Sequence, residues 1–288
     1  MQLALGTVQF GLAYGIAGRG EAVPDHEVRT ILEDASARGV RTIDTAADYG
    51  DIESRLSRLA AGLPLEVVSK VPAIPPELSP DDAAAFALRM ARRSRERLGP
   101  LLRGLMVHRS GDLVGARGDA VWPALRAWAS ADGIQLGASC YDPADADALA
   151  RERGIALTQV PGNAFDQRIA DAAAHAPLRQ VEVHLRSAFL QGLLLMPLAD
   201  AKRRLPAAAA PLDRWHADCA RRGTAPLQSA LAVVKSFSLV SRVVVGVDRL
   251  AQWTEIAQAW DAARPTDAPD LACGQADVTD PRLWSTKP

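Results

Sequence analysis

Eight short apolar runs punctuate the chain, and almost none of them alternates polar with apolar positions. They are LALGTV from Leu3, TIDTA from Thr42, LEVVSKV from Leu65, LRGLMVH from Leu102, IQLGASC from Ile134, ALTQVPGN from Ala156, VEVHL from Val181 and RVVVGV from Arg242. Continuous apolar runs of this length suit strands covered on both faces, as in a parallel sheet. The stretches between them carry helical spacing. Over Asp25 to Arg38, Val28, Ile31, Leu32 and Ala35 fall on one face, and Gly39 follows as a stop. Pro80-Asp81-Asp82 opens a helix that closes at Gly99 with a basic last turn, as the helix dipole favours. Further helices are expected over Ala120 to Ala131 and Asp145 to Arg153, each stopped by a glycine soon after. The repeated order is strand, loop, helix, glycine, strand. Eight units over 288 residues, about 36 residues each, predict a single-domain (β/α)8 TIM barrel rather than an open doubly wound sheet.

Two stretches depart from the repeat. From His184 to Arg242 the chain is longer than one unit requires. Its Pro/Ala-rich middle, LADAKRRLPAAAAPLDRW, is expected to be a long loop, an active-site flap, before a helix from about Leu212. The tail, about residues 262–288, is polar and Pro-rich; it is expected to pack across the barrel with Trp284 as anchor.

Composition narrows the function. Lys plus Arg number 33 and Asp plus Glu 34, a formal charge of −1, so electrostatics gives no reason to expect a nucleic-acid or anionic-membrane partner. At 48% hydrophobic residues the chain is too apolar to be disordered. No uncharged run approaches the roughly 20 residues of a membrane span, and MQLALGTVQFG lacks the features of a signal peptide. Cys140, Cys219 and Cys273 are scattered, with no CxxC, and form neither a disulfide framework nor a zinc site. Free thiols in a reducing cytoplasm are expected, with no metal.

In a barrel of this class the chemistry gathers at the C-terminal ends of the strands. The second run ends in Asp44, with Tyr49 in the loop behind it; the third ends in Lys70 and the fourth in His108. Singly, each has an ordinary explanation: a turn cap, a packed aromatic, a solvated lysine, a structural histidine. Jointly, they bring four proton-handling groups to one mouth from three adjacent strands. A free tyrosine is a poor acid at neutral pH, but a lysine ammonium beside it favours the phenolate and lowers its pKa by about 1–3 units. A buried lysine needs a partner such as Asp44 to stay charged. His108 can orient a carbonyl oxygen or relay a proton. The set suits protonation of a developing alkoxide, half of a carbonyl reduction; the hydride must come from a cofactor, since no side chain supplies one.

The strings LGTVQFGLAYGI, RTIDTAADYGDIE, VVSK and LMVH, in that order and spacing, resemble the aldo-keto reductase superfamily, and VEVHLRSAFLQGLLL and VVVGVDRL resemble its bacterial branch. The resemblance runs from Leu3 to about Ile256. It implies Tyr49 as general acid for reduction and base for oxidation, Lys70 and Asp44 tuning it, and His108 holding the substrate carbonyl. It implies cofactor contacts from Ser139 and Gln159 to the nicotinamide carboxamide, from Ser187 near the pyrophosphate, and from Gly246, Val247, Asp248 and Gln252 at the adenosine phosphate end. It departs from the family at Cys140, where an asparagine is common, and at Arg186, where an aromatic often stacks on the nicotinamide; the guanidinium is expected either to stack instead or to join an acidic loop residue. Gly246, Gln252 and Ile256 replace a basic residue, an arginine and an asparagine that often grip a 2′-phosphate, leaving Arg249 as substitute. NADP(H) is placed ahead of NAD(H).

The implied enzyme is an NAD(P)-dependent aldo-keto reductase or alcohol or aldose dehydrogenase, monomeric or weakly oligomeric, acting on a small carbonyl or sugar. Its pocket is expected from Tyr14 to Val23, Arg109 to Gly118 and Gln191 to Arg214, with FLQGLLLM at the rim. Two other readings stand beside it: a Schiff-base aldolase or lyase using Lys70, and a non-catalytic cofactor-binding regulatory relative. His184 is expected to be structural without a visible partner, and His26, His175 and His216 to lie at the surface. Cys140 is expected to be a small buried residue and the tryptophans at 122, 128, 215, 253 and 260 to pack between helices.

Overall fold

The computed structural model describes residues 1–12 and 21–284. All eight apolar runs become strands: β1 (Gln2–Gly6), β2 (Thr42–Asp44), β3 (Glu66–Val71), β4 (Leu102–Val107), β5 (Gln135–Ser139), β6 (Leu157–Pro161), β7 (Glu182–Arg186) and β8 (Val240–Gly246). They close in chain order into a parallel barrel, β1 pairing with both β2 and β8. The absence of alternation in the sequence now has its reason. Leu5, Ile43, Val67, Leu105, Val160, Val183 and Val243 belong to the large core shared with the helices. Val68, Met106 and Leu157 form a separate buried cluster. Since β6 adjoins neither β3 nor β4, these three meet across the lumen. Gly104 makes room for them: a Cβ there would stand 3.1 Å from Leu157 and 3.2 Å from Val68.

The helices are α1 (Val8–Gly11), α2 (Asp25–Ala37), α3 (Ile52–Leu59), α4 (Pro80–Leu98), α5 (Gly115–Asp132), α6 (Pro143–Arg153), α7 (Leu198–Arg204), α8 (Ala209–Arg222), α9 (Pro226–Val234), α10 (Leu250–Ala262) and the short α11 (Ala276–Thr279). α2 buries Val28, Ile31, Leu32 and Ala35, the stripe its spacing predicted. Ser79 caps α4 by accepting from the Asp82 amide, and Asp142 caps α6 at Ala144. α5 starts at Gly115, five residues before the predicted Ala120, and Pro123 sits inside it.

Two larger expectations are corrected. The stretch after β7 is not a long flap but consecutive helices, α7 and α8, joined by a single 3-10 turn over Pro206–Ala208. Pro206 and Pro211 fall in first turns, where a missing N–H leaves no intrahelical bond unmade. Buried Trp215 fixes α8 by donating from Nε1 to the Leu194 carbonyl at 2.9 Å. The unit after β6 has no α-helix; two 3-10 turns, Arg168–Ala170 and Ala176–Gln180, take its place.

The histidine readings also change. His184 is fully buried and does have a partner, Glu182, which accepts from its Nε2 at 3.0 Å. His175 is not a surface residue: its ring links Asp147, at 2.6 Å, to the Arg168 carbonyl.

The tail through residue 284 crosses the end of β6. Gln167 donates to the Ala268 carbonyl, the Cys273 amide donates to the Phe165 carbonyl, and Leu271, Val278 and Trp284 are buried. Residues 285–288 of the expected strap, and residues 14–20 of the expected pocket, lie outside the described residues. Among the described residues no helix is long and apolar enough to cross a membrane.

Candidate active site

The mouth of the barrel is organised around Lys70, 1% exposed at the end of β3. Its ammonium donates to Asp44 Oδ1 at 2.8 Å, to Asp44 Oδ2 at 2.9 Å and to the Thr45 carbonyl at 2.9 Å. Three N–H donors thus meet three acceptors, and the buried charge is compensated and hydrogen-bonded. The same nitrogen stands 5.6 Å from the centroid of the Tyr49 ring. The His108 ring meets that ring edge-on, centroids 6.2 Å apart at 77°. Asp48 lies 3.4 Å from His108 Nδ1, and hydrogen bonding from that imidazole is the main cause holding the Asp48 carboxyl below its usual range. The structure therefore brings Asp44, Tyr49, Lys70 and His108 together.

The loop carrying Tyr49 is held by backbone, which the sequence reading did not assign. Gly11, the last residue of α1, packs against it so closely that a Cβ would lie 1.8 Å from the Tyr49 carbonyl oxygen. Gly50 answers from the other side, with φ +69° and a Cβ position 2.7 Å from the Gly11 oxygen. Thr7 spans the base of the loop, its hydroxyl 3.0 Å from the Asp44 carbonyl oxygen and 2.8 Å from Thr45 Oγ1. The strings FG and YG were the available signal for this back-to-back glycine contact.

Ser139 and Gln159 are buried neighbours in register at the ends of β5 and β6. Gln159 does not present its amide nitrogen to open space: Nε2 donates to Asp44 Oδ2 at 2.7 Å. Arg186, at the end of β7, makes no carboxylate ion pair among the described residues, so the salt bridge weighed for it is not formed there. Its guanidinium stacks 4.2 Å from the Tyr141 ring and reaches the Cys140 carbonyl at 3.4 Å. Tyr141 also meets Arg282 from the tail, at 3.3 Å. Ser187 adopts φ +63°, and its carbonyl accepts from the buried Asn163, a residue for which the sequence offered no signal. Cys140 is buried, and burial pushes its thiol up to about 12, which removes it as a nucleophile.

At the end of β8, Gly246 lies beside Gly6 of β1. A Cβ on Gly246 would come within 2.4 Å of the Gln9 side chain, whose Oε1 is buried with no hydrogen-bond partner among the described residues. Val247 and Asp248 are buried. Gln252 accepts from the Asp248 amide, Asp248 pairs with Arg249 at 3.2 Å, and the Leu250 amide donates to Glu27 at 2.7 Å. The N-terminus of α10 is therefore already capped by a carboxylate. Bare glycine backbone, an orphan amide oxygen and buried Ser139 fit an extended cofactor carrying hydroxyl and amide groups along the β5–β1 side.

Of the expected pocket walls, Arg109 pairs with Asp112 at 2.6 Å and Gln191 to Arg214 is largely helical. A cavity of about 590 Å³ opens at the opposite end of the barrel, lined by Met1, Arg179 and Arg242, and contains none of these residues. Among the described residues no group of three His, Cys, Asp or Glu side chains could hold a metal ion.

No protein-family model and no curated protein matches the chain. Solved structures do. An aldo-keto reductase from Bacillus halodurans, in its holo form, superposes with a TM-score of 0.69 at 16% identity, over 98% of this chain and 94% of that one. A glycerol dehydrogenase from Gluconobacter oxydans gives 0.68 at 20% identity, over 93% and 88%. A Pseudomonas aeruginosa protein assigned to the aldo-keto reductases gives 0.64 at 23% identity, over 90% and 88%. The chain thus shares the eight-stranded barrel fold of these three proteins.

Proposed function

We propose that this protein is a nicotinamide-dependent carbonyl reductase of the aldo-keto reductase type, also able to run the reverse alcohol oxidation. The observation that carries the reading is the buried, fully bonded Lys70 ammonium beside the Tyr49 ring, with His108 on the ring's edge.

When bound, the nicotinamide supplies or accepts the hydride. The chain's own residues handle the proton. Tyr49 gives its hydroxyl proton to the carbonyl oxygen as carbon is reduced, and the phenolate left behind is stabilised by the Lys70 charge. Asp44, itself buried, keeps that charge in place. Asp48, accepting from His108 Nδ1, turns the other ring nitrogen toward the mouth, where it can bond the substrate oxygen. Solvent at the mouth returns the proton, so one carbonyl, one hydride and one proton give one alcohol. In oxidation Tyr49 acts as the base.

The geometry disfavours the Schiff-base reading, because all three Lys70 N–H groups are engaged and the nitrogen is buried, leaving no lone pair to attack a carbonyl. Charge at the adenosine end favours NAD(H) over NADP(H), the reverse of the order expected from the sequence. Asp248 and Glu27 bring two carboxylates to the backbone where a 2′-phosphate would need cations, and Arg249 is already paired. A small carbonyl, including a sugar, is the substrate class proposed.

Fluorescence titration with NADH and NADPH, then turnover on aldehydes, ketones and sugars, tests this. NADH binds more tightly, and Tyr49→Phe lowers turnover by about 10²–10⁴ with binding unchanged. Binding of neither cofactor sinks the reading; binding without turnover on any substrate supports the regulatory relative instead.

A further inference from the structure

The contact between Gln159 and Asp44 spans the lumen. β2 and β6 stand four strands apart in an eight-stranded barrel, the greatest separation it allows. The Gln159 amide nitrogen nevertheless reaches Asp44 Oδ2 at 2.7 Å, and both residues are at least 95% buried. The orientation of the amide follows from chemistry: facing an ionised carboxylate, which only accepts, it must present its NH₂.

We propose, building on the function above, that Gln159 is a positioning residue of the acid/base unit, acting through Asp44 on Lys70 and Tyr49, and not solely a contact for the cofactor. Asp44 receives three bonds, two from Lys70 and one from Gln159. A hydrogen bond to a carboxylate spreads and stabilises its charge. The part of the Asp44 charge held by a neutral amide does not cancel the ammonium, so more of the Lys70 positive potential reaches the Tyr49 ring 5.6 Å away. Without the amide, Asp44 turns its whole charge onto Lys70, less of the ammonium's potential reaches the ring, and the phenol becomes less acidic. Among the described residues the other ionisable groups around the unit are Asp48 behind β2, His108 behind β4, and His184 and Arg186 on β7.

The test uses Gln159→Met, near the same size without the donor, and Gln159→Asn, which keeps the amide on a side chain too short to span the lumen. Two measurements separate the roles. Ultraviolet titration of the cofactor-free protein, with the Tyr49→Phe protein subtracted, reads the phenolate directly. Fluorescence titration reads the Kd for NADH. The expected result in both variants is an upward move of the phenolate midpoint by about half to one pH unit, a three- to tenfold change in proton affinity, whatever the accompanying change in Kd. The alkaline limb of carbonyl reduction moves by the same amount. A midpoint left in place, or moved downward, overturns the proposal, and a tenfold weaker Kd with an unmoved midpoint returns Gln159 to the cofactor alone. Because the ultraviolet measurement needs no cofactor, its outcome is independent of whether the wild-type chain binds a nicotinamide.

Discussion

Asp44→Asn keeps the shape of the side chain facing Lys70 and removes its charge. In the wild-type protein the ammonium is 1% exposed and bonded to both carboxylate oxygens. At an effective dielectric near 20 and about 4 Å between charge centres, the attraction amounts to about 4 kcal/mol. The asparagine oxygen still accepts one bond, but the buried ammonium has lost its counter-charge, and breaking such a pair from one side costs about 3–5 kcal/mol. Lys70→Met leaves the mirror problem, an Asp44 carboxylate whose remaining side-chain donor is Gln159. The double variant buries neither charge. Its destabilisation should fall short of the sum of the two single losses by about 3 kcal/mol. Urea unfolding at pH 7, comparing midpoints at constant m, measures the cycle. All three variants lose turnover. Losses that add to within about 0.5 kcal/mol would show that the pair is not electrostatically coupled as its geometry demands.

Two further outcomes follow from other contacts. Gly11→Ala places a methyl 1.8 Å from the Tyr49 carbonyl oxygen, where no rotamer relieves it, so the Tyr49 loop must shift; turnover should fall about 10²-fold, with cofactor affinity unchanged and stability lowered by about 1–3 kcal/mol. An unchanged rate would show the loop adapts without moving the hydroxyl. The Glu182 carboxyl is pulled down to about 2, first by the His184 hydrogen bond and then by Arg103. Its folded value lies below its unfolded one, so its stabilisation is complete above about 4.5 and disappears as the pH falls toward 2. Glu182→Gln should therefore be less stable than wild type at pH 6–7 and converge with it only as the pH falls to about 2, read from urea midpoints across that range.

Much of the fold was legible because its strands are covered twice, by helices outside and by packed side chains within. That double burial writes a continuous apolar run, which a periodicity argument detects. The helices after β7 were not legible, since Pro206 and Pro211 carry the same letters whether they break a helix or occupy its first turn; Trp215 seated against Leu194 decides between them. The missing helix after β6 was hidden in the same way, because residues 162–181 are bonded by local 3-10 turns and by the tail rather than by a stripe of their own.

For the candidate site, strand ends alone placed Asp44, Lys70 and His108, and a short loop placed Tyr49, because a barrel sends the ends of its strands to one mouth. What partners those groups choose is a matter of three dimensions. Asp44 and Gln159 are 115 residues apart, and nothing in either neighbourhood announces a bond between them. Arg186 could have met a carboxylate or an aromatic ring, and the fold offers it Tyr141. Local composition determines where the chain can be buried and which ends carry polar groups; barrel closure sets the distances between those ends. Hydrogen bonds and ion pairs act over a few ångströms, so only that closure could decide which of them form.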